Sequence, residues 1–402
     1  MPPPPTAEEL AELRRLTPEQ EAANAAAAEH IGEVAARMEG VPEQEREPAM
    51  GGTMTMWDYF EGGLVEAALS HTPLVDLEYL VELARRGGVM PAGLQRMPSA
   101  ALITTANLWR LKLWNKKKNK VSLGVLVWSY PWLDWFHPDR LGAQLRRLLP
   151  VLEAMLAEAK ADSPHCTVGV MVDFLCLPQK PFASEEEGAR FKHSLVNINL
   201  WYYHQFTYVL LVSTPPPEGA EYGNTRLHEA RGWCVFEKGA SMAVKDDGCL
   251  LDFAGYRGAT EWGDAFSTGP GTCLGEMKAG RKAPISPAAF GESMRARVAT
   301  GELKFTARAD EEFVIGQYEK GFVGAIDHEA ANEEGRGVIF INLGWGEAEA
   351  AELLEALKYA AAHCSFPHGY VGVYCVHGNQ FDVRTFKAKA SAEGLDGKFD
   401  LD

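Results

Sequence analysis

The chain has 402 residues, of which 46% are hydrophobic and 23% are charged, and a formal net charge of −16 at pH 7. That length exceeds a single hydrophobic core and predicts about two or three domains of ordinary globular composition. The negative charge argues against a general role on nucleic acid, which is bound through a basic surface. Four lysines between positions 116 and 120 are a local exception, and a solvated loop ahead of an edge strand is the simplest interpretation of them.

The cysteines and the start of the chain indicate the compartment. Seven cysteines are present, with no C-x-x-C pair and no spacing typical of a zinc site. The opening MPPPP lacks both the basic and the apolar part of a secretion signal, and no apolar stretch reaches about 18 residues. These features predict reduced thiols, no bound metal, no membrane span and a soluble, cytoplasmic protein.

The first 118 residues are expected to be helical. Residues 1–52 combine an Ala- and Glu-rich arm, which has few large apolar side chains, with a linker that carries Pro and Gly. In residues 53–118, apolar side chains such as Leu77, Leu80 and Leu83 recur at helical spacing. The sequence therefore predicts a helical arm, a linker and a helical lead-in.

Residues 119–265 have the pattern of an α/β domain. Three near-continuous apolar runs of strand length occupy residues 121–128, 168–176 and 206–213. The segments between them are helical in pattern, with Asp139 placed to cap the first helix and Ser184 the second. This alternation predicts a doubly wound, mainly parallel sheet covered by helices.

The last third of the chain is expected to hold a linker and a small α/β region. Residues 266–290 are rich in Gly and Pro, and no strand precedes their glycines, which argues against a phosphate loop. Residues 291–402 then offer a strand at 338–343, a helix at 347–362 and a strand at 370–376, followed by Asn379. That order is similar to one and a fraction leucine-rich repeats. A degenerate repeat and a small α/β appendage both fit it.

A specific motif follows the third strand. Residues 231–241 read RGWCVFEKGAS, in which Trp233, Cys234 and Glu237 resemble the W-C-x-x-E motif of plant and animal TIR domains. The order of strands and helices in residues 119–265 also resembles that TIR or flavodoxin-like fold. The stretches D-F-x-C-L-P-Q, beginning at Asp173, and R-G-W-C-x-F-E are similar to a TIR-related family of algae and other protists, with some likeness to fungal HET domains.

The resemblance implies cleavage of NAD, with Glu237 as the catalytic carboxylate. Breaking the bond between nicotinamide and ribose passes through an oxocarbenium-like state, which a carboxylate stabilises by its charge or by accepting ribose hydroxyls. Nicotinamide leaves as a neutral group, so a single carboxylate is sufficient. NAD is then a substrate, and no cofactor is expected.

The remaining expected site residues follow the strand ends. Ligands of open α/β sheets bind outside the carboxyl ends of the strands, where Ser129, Asp173 and Glu237 should all lie. Trp132 or Trp135 would stack against nicotinamide or adenine. Trp233, which belongs to the same motif as Glu237, is also expected to contact the substrate. The turn after the first strand lacks the basic residue common in TIR domains, and Trp132 and Trp135 stand nearby instead.

Each of these residues also has a structural alternative. A glutamate such as Glu237 in the first turn of a helix is favoured by the helix dipole, and Trp233 with Phe236 makes an ordinary core-facing pair. Asp173 could cap the turn that follows its strand. The sequence does not choose between these roles.

Two other functions remain open at this stage. The first is a non-catalytic signalling or scaffolding module that acts by self-association, and the second is an enzyme similar to nucleoside deoxyribosyltransferases. The TIR resemblance also implies self-association in the catalytic case, because neighbouring copies complete the cleft in such domains.

Overall fold

The computed structural model describes residues 6–42, 46, 56–114, 122–161, 163–219, 221–263, 270–307, 309–331, 337–367, 369–375 and 377–401. The helices there are α1 (Ala7–Leu13), α2 (Pro18–Glu39), α3 (Met56–Tyr59), α4 (Gly62–Leu69), α5 (Leu77–Arg85), α6 (Ala143–Lys160), α7 (Asp173–Cys176), α8 (Glu185–Val196), α9 (Asn199–Tyr203), α10 (Gly232–Ala243), α11 (Cys273–Met277), α12 (Pro287–Ala299), α13 (Asp310–Ala330), α14 (Glu347–His363) and α15 (Val383–Ala392). The strands are β1 (Leu74–Asp76), β2 (Leu102–Ile103), β3 (Leu113–Trp114), β4 (Ser122–Ser129), β5 (Gly169–Met171), β6 (Thr207–Leu211), β7 (Leu250–Asp252), β8 (Val338–Ile339), β9 (Val371–Tyr374) and β10 (Phe399–Leu401). Within these ranges, no helix has the length and apolar character needed to cross a membrane. The lysines between positions 116 and 120 lie outside the described residues.

The chain divides into two compact units, each assembled from segments that are distant in sequence. The first unit contains Met1–Ile198, Phe206–Leu227 and Asp252–Met277. The second contains Asn199–Gln205, His228–Leu251 and Lys278–Asp402. Residues 119–265, which the sequence predicts as one domain, therefore contribute to both units.

Parallel strands form the centre of the first unit. The strand β4 pairs in parallel with β5 on one side and with β6 on the other, so Val125 lies opposite Gly169, and Val127 opposite Val209. The helix α6 connects β4 to β5, and α8 follows β5 before β6. This confirms the expected α/β fold with parallel central strands and helices around them.

The helix α6 begins later than the sequence suggests. It starts at Ala143, and Gly142 at its N-cap position has a positive φ of 67°. The carboxylate of Asp139 still accepts a hydrogen bond from the backbone N–H of Leu145 at 2.8 Å. The capping function is therefore retained from a position outside the helix. At α8, the side chain of Ser184 accepts from the N–H of Glu187, as expected.

Antiparallel strands flank this centre. The strand β1 pairs with both β5 and β2, and β3 pairs with β4. All three extra strands come from residues 53–118, which also hold the helices α3 to α5. Helical spacing did not indicate them, because strands of two or three residues are too short to establish an alternating pattern.

A buried ion pair connects β1 to the segment that precedes β3. Asp76 and Arg110 are 0% and 3% exposed, and a carboxylate oxygen lies 2.8 Å from a guanidinium nitrogen. The other oxygen of Asp76 accepts from the hydroxyl of Thr167 at 2.6 Å and from the N–H of Glu78 at 3.0 Å. One carboxylate thus joins three separate segments of the first unit.

The N-terminal helix α2 packs into the first unit despite its small side chains. Ala27, Ile31 and Val34 are buried along one face. The side-chain amide of Asn24 donates to the carbonyl of Val89 at 2.8 Å and accepts from its N–H at 2.9 Å. The two hydrogen bonds between Asn24 and the backbone of Val89, together with the three buried side chains, therefore hold α2 against the first unit, although it has few large apolar side chains.

The second unit contains the small α/β region expected near the C-terminus. Its strands β8, β9 and β10 form a parallel sheet in the order β10-β9-β8. The side chain of Asn379 accepts from the N–H groups of Leu343 and Trp345 and donates to the carbonyls of Phe340 and Cys375. Four backbone groups beside the sheet are thereby satisfied by one residue.

Candidate functional site

Trp132 and Asp173 meet at the carboxyl ends of β4 and β5. The indole Nε1–H of Trp132 donates to Asp173, at 3.2 Å from Oδ2 and 3.4 Å from Oδ1. The ring of Trp132 packs edge-on against Phe174, with the centroids 5.2 Å apart. Ser129 ends β4 at the same edge of the sheet, but its side chain is buried. The structure therefore brings together a tryptophan and a carboxylate that the sequence predicted separately.

Asp173 is a partly exposed residue with a perturbed pKa. The N–H of Phe174 donates to its Oδ1 at 2.6 Å. Desolvation of the carboxylate raises its pKa from 3.8 to about 6, against the opposing effect of the hydrogen bonds from Phe174 and Trp132. A carboxyl group that changes charge near neutrality is typical of functional sites.

Trp135 lies on the surface of the loop that follows β4. Its side chain is 49% exposed, and its ring packs against Phe136 with the centroids 5.2 Å apart. An exposed indole of this kind is available to stack on a planar ligand.

A cavity with basic side chains borders this edge of the sheet. Its volume is about 520 Å³, and its lining includes Arg14, Arg96, Tyr79 and His137. The guanidinium of Arg14 lies 5.8 Å from the centroid of the Phe174 ring, and the ring of His137 lies 4.8 Å from it. The cavity therefore adjoins the turn that carries Asp173.

Arg14 reaches this position from the N-terminal arm. Its Nε and Nη2 both donate to the carbonyl of Phe136, at 3.2 and 3.1 Å. Partial burial lowers the pKa of Arg14 but leaves the guanidinium charged at neutral pH. Arg14 lies between α1 and α2, in an Ala- and Glu-rich arm where no sequence pattern indicates contact with a loop more than a hundred residues away.

His137 lines the cavity and is uncharged at neutral pH. Its Nδ1 accepts from the N–H of Asp139 at 3.0 Å, which leaves Nε2 to donate to the carbonyl of Met90 at 3.0 Å. Burial lowers the pKa of His137 to about 4. With both ring nitrogens engaged, this histidine positions the loop and does not act as a base.

Trp233 lies near the start of α10 in the second unit. Its Nε1–H donates to Asp310 at 3.0 Å. Its ring contacts those of Phe236 and Phe313, each with the centroids 6.0 Å apart. These contacts accord with the core-facing alternative for this tryptophan.

Glu237 lies on the same helix and is 8% exposed. It shares its surroundings with His228 and Cys234, both also buried. One carboxylate oxygen, one imidazole nitrogen and the sulfur all lie within 4.8 Å of one another. Burial, with the nearby charges of Lys238 and Arg231, lowers the pKa of His228 to about 3, so its imidazole is neutral. The sequence missed His228, which lies outside the recognised motif.

The predicted site residues thus fall into two groups. Ser129, Trp132 and Asp173 share one edge of the sheet in the first unit, whereas Trp233 and Glu237 share one helix of the second. In comparisons with known proteins, no protein-family model, curated protein or solved structure matches the chain.

Proposed function

We propose that this chain binds NAD or a related nucleotide at the carboxyl ends of β4 and β5 and cleaves its N-glycosidic bond. The observation that carries the proposal is Asp173, a partly exposed residue whose pKa is raised to about 6. The next residue, Phe174, packs against Arg14 and His137 of the cavity wall. The three central strands run parallel in the order second, first, third along the chain. Flavodoxin-like sheets share that order and bind ligands outside the carboxyl ends of their strands.

The cavity suits a diphosphate. Its volume of about 520 Å³ lies within the range typical of sites for small ligands. Arginine binds phosphate oxygens through paired, charge-assisted hydrogen bonds, and Arg14 and Arg96 both line the cavity. Arg14 also supplies, from the N-terminal arm, the positive charge that is missing from the turn after β4.

The carboxylate of Asp173 suits the reacting ribose. Its negative charge would stabilise the oxocarbenium-like state, and its oxygens would accept ribose hydroxyls. Trp132 holds the carboxylate through its Nε1–H, which limits the cost of orienting it during the reaction. Glu237, to which the TIR resemblance assigns catalysis, remains a second candidate for the essential carboxylate.

Nicotinamide release from NAD tests the function. We expect concentrated native chain to release nicotinamide. Release by Glu237→Gln that is about 100- to 1000-fold slower, the usual effect of losing one electrostatic contact in a transition state, would assign the essential carboxylate to Glu237. Glu229→Gln is the matched control, because Glu229 lies in the same segment but is exposed. It should release nicotinamide at the native rate.

The outcomes separate the enzyme from the scaffold. No release by native chain, at concentrations where it self-associates, would contradict the proposal and favour the signalling or scaffolding function. Release that persists in Glu237→Gln would remove Glu237 from the mechanism and leave Asp173 as the essential carboxylate.

A further inference from the structure

Three potential metal ligands are buried together in the first two turns of α10 and in the short turn that precedes it. His228, Cys234 and Glu237 are 1%, 4% and 8% exposed, and one potential ligand atom of each lies within 4.8 Å of the others. We propose that these three side chains form a zinc-binding site in the second unit. All three residues belong to the second unit, and the inference does not depend on nucleotide cleavage.

The local fold holds the three ligands in place. Cys234 and Glu237 are three residues apart on α10, so they project from the same face of the helix. His228 begins the short 3₁₀ turn His228–Ala230, and its carbonyl accepts from the N–H of Arg231, the residue before α10. The ligands therefore come from one helix and the turn that leads directly into it.

The start of α10 is fixed by close packing. The N–H of Gly232 donates to the carbonyl of Lys304 at 3.0 Å. A Cβ atom at position 232 would come within 2.1 Å of the ring of Phe305. Only glycine fits here without displacement of that ring, so the turn and the helix keep a defined orientation.

The ligand set matches the chemistry of zinc. Thiolate sulfur, imidazole nitrogen and carboxylate oxygen are the three ligand types of protein zinc sites, and sites with three protein ligands leave a fourth position for water. Calcium and magnesium prefer oxygen ligands alone, and the thiol of Cys234 excludes them as the natural occupants.

The spacing allows binding after a small contraction. Zinc lies about 2.0 to 2.3 Å from such ligands, which puts tetrahedral ligand atoms roughly 3.5 Å apart. The limit of 4.8 Å between the present atoms means that each has to move inward by no more than about 1 Å. The charge of the ion would also offset the cost of burying a thiolate and a carboxylate together.

Metal titration of the full chain tests this site. Chain that has been dialysed against a chelator under reducing conditions would be titrated with Co²⁺ and then with Zn²⁺. We expect one ion per chain and a near-ultraviolet charge-transfer band from a thiolate bound to Co²⁺, which Zn²⁺ then abolishes. Cys234→Ser and His228→Gln should each lose the band or weaken binding by at least the order of 100-fold.

A buried cysteine of the same unit supplies the control. Cys375→Ser changes a thiol that lies outside the group of three, so it should retain the band and the native affinity. Circular dichroism of each variant would establish that it is folded. Cys234→Ser also keeps Glu237, which separates metal binding from any role of that carboxylate in nicotinamide release.

Two results would overturn the proposal. One is native chain that gives no charge-transfer band and binds neither ion, which would make the group a hydrogen-bonded cluster. The other is folded Cys234→Ser that binds Zn²⁺ with native affinity, which would place the ion on other ligands.

Discussion

Asp173→Asn is expected to lower nicotinamide release by about 100- to 1000-fold, because the variant lacks the charge that would stabilise the oxocarbenium-like state. The pH profile should change as well. In the native chain the rate should fall as pH decreases through about 6, where the carboxyl group becomes protonated and neutral. Asparagine does not titrate, so the variant should lack this acidic limb. A native rate that is independent of pH between 5 and 8 would exclude Asp173 from the reaction.

The same substitution is expected to raise stability at pH 7. The carboxyl titrates near 3.8 in the unfolded chain and near 6 in the folded one, so the folded state binds more protons between these values. Stability therefore falls as pH rises through this window, and the charged form carries a cost of up to about 3 kcal/mol above it. Removing the charge relieves this cost, and urea unfolding at pH 7 would measure the gain.

Asp252→Asn is the control for Asp173→Asn. Asp252 ends the strand β7 and accepts hydrogen bonds from Ser213 and from the N–H of Ala254, as a turn cap does. We expect little change in stability, because Asn caps a turn about as well as Asp, and no effect on nicotinamide release. If Asp173→Asn behaved in the same way, Asp173 would be a cap and not a site residue.

Asp76→Ala is expected to destabilise the first unit by about 3 to 5 kcal/mol, since it leaves the charge of Arg110 buried without its counter-ion. The hydroxyl of Thr167 loses its acceptor in the same variant. Equilibrium unfolding in urea would measure the effect. It is one of the largest that a single substitution in this chain should produce.

A double variant separates the charge effect from packing. Asp76→Leu combined with Arg110→Met removes both charges and fills their space with apolar atoms, which often restores stability. We expect it to lose less stability than Asp76→Ala alone. A double variant that is less stable than Asp76→Ala would show that the ion pair itself stabilises the fold, in addition to neutralising two buried charges.

The sequence predicts the central strands better than the edges of the sheet. Long apolar runs identify β4, β5 and β6, because parallel strands covered on both faces have few polar positions. The strands β1, β2 and β3 span two or three residues each. They depend on pairing with β4 and β5, which no local pattern reveals.

The candidate site could be predicted only in part for a similar reason. Strand ends indicate Ser129 and Asp173, since their position follows from the strands themselves. The contact of Arg14 with the loop after β4 depends on how the N-terminal arm packs. Many contacts of α2 together determine that packing, and no single sequence motif does.

Several residues of the RGWCVFE motif have a structural explanation. Gly232 avoids the ring of Phe305, Trp233 bonds Asp310, and Phe236 is buried with its ring 6.2 Å from that of Tyr202. These contacts fix the start of α10. The sequence could show the spacing of Cys234 and Glu237 but not the approach of His228, because that depends on the 3₁₀ turn.

The most direct test of the proposed site is a crystal structure of the full chain with ADP-ribose, the product of the proposed reaction. We expect the diphosphate to lie against Arg14 and Arg96, with a ribose hydroxyl within hydrogen-bond distance of Asp173. ADP-ribose bound away from the carboxyl ends of β4 and β5, or no binding at saturating concentration, would contradict it.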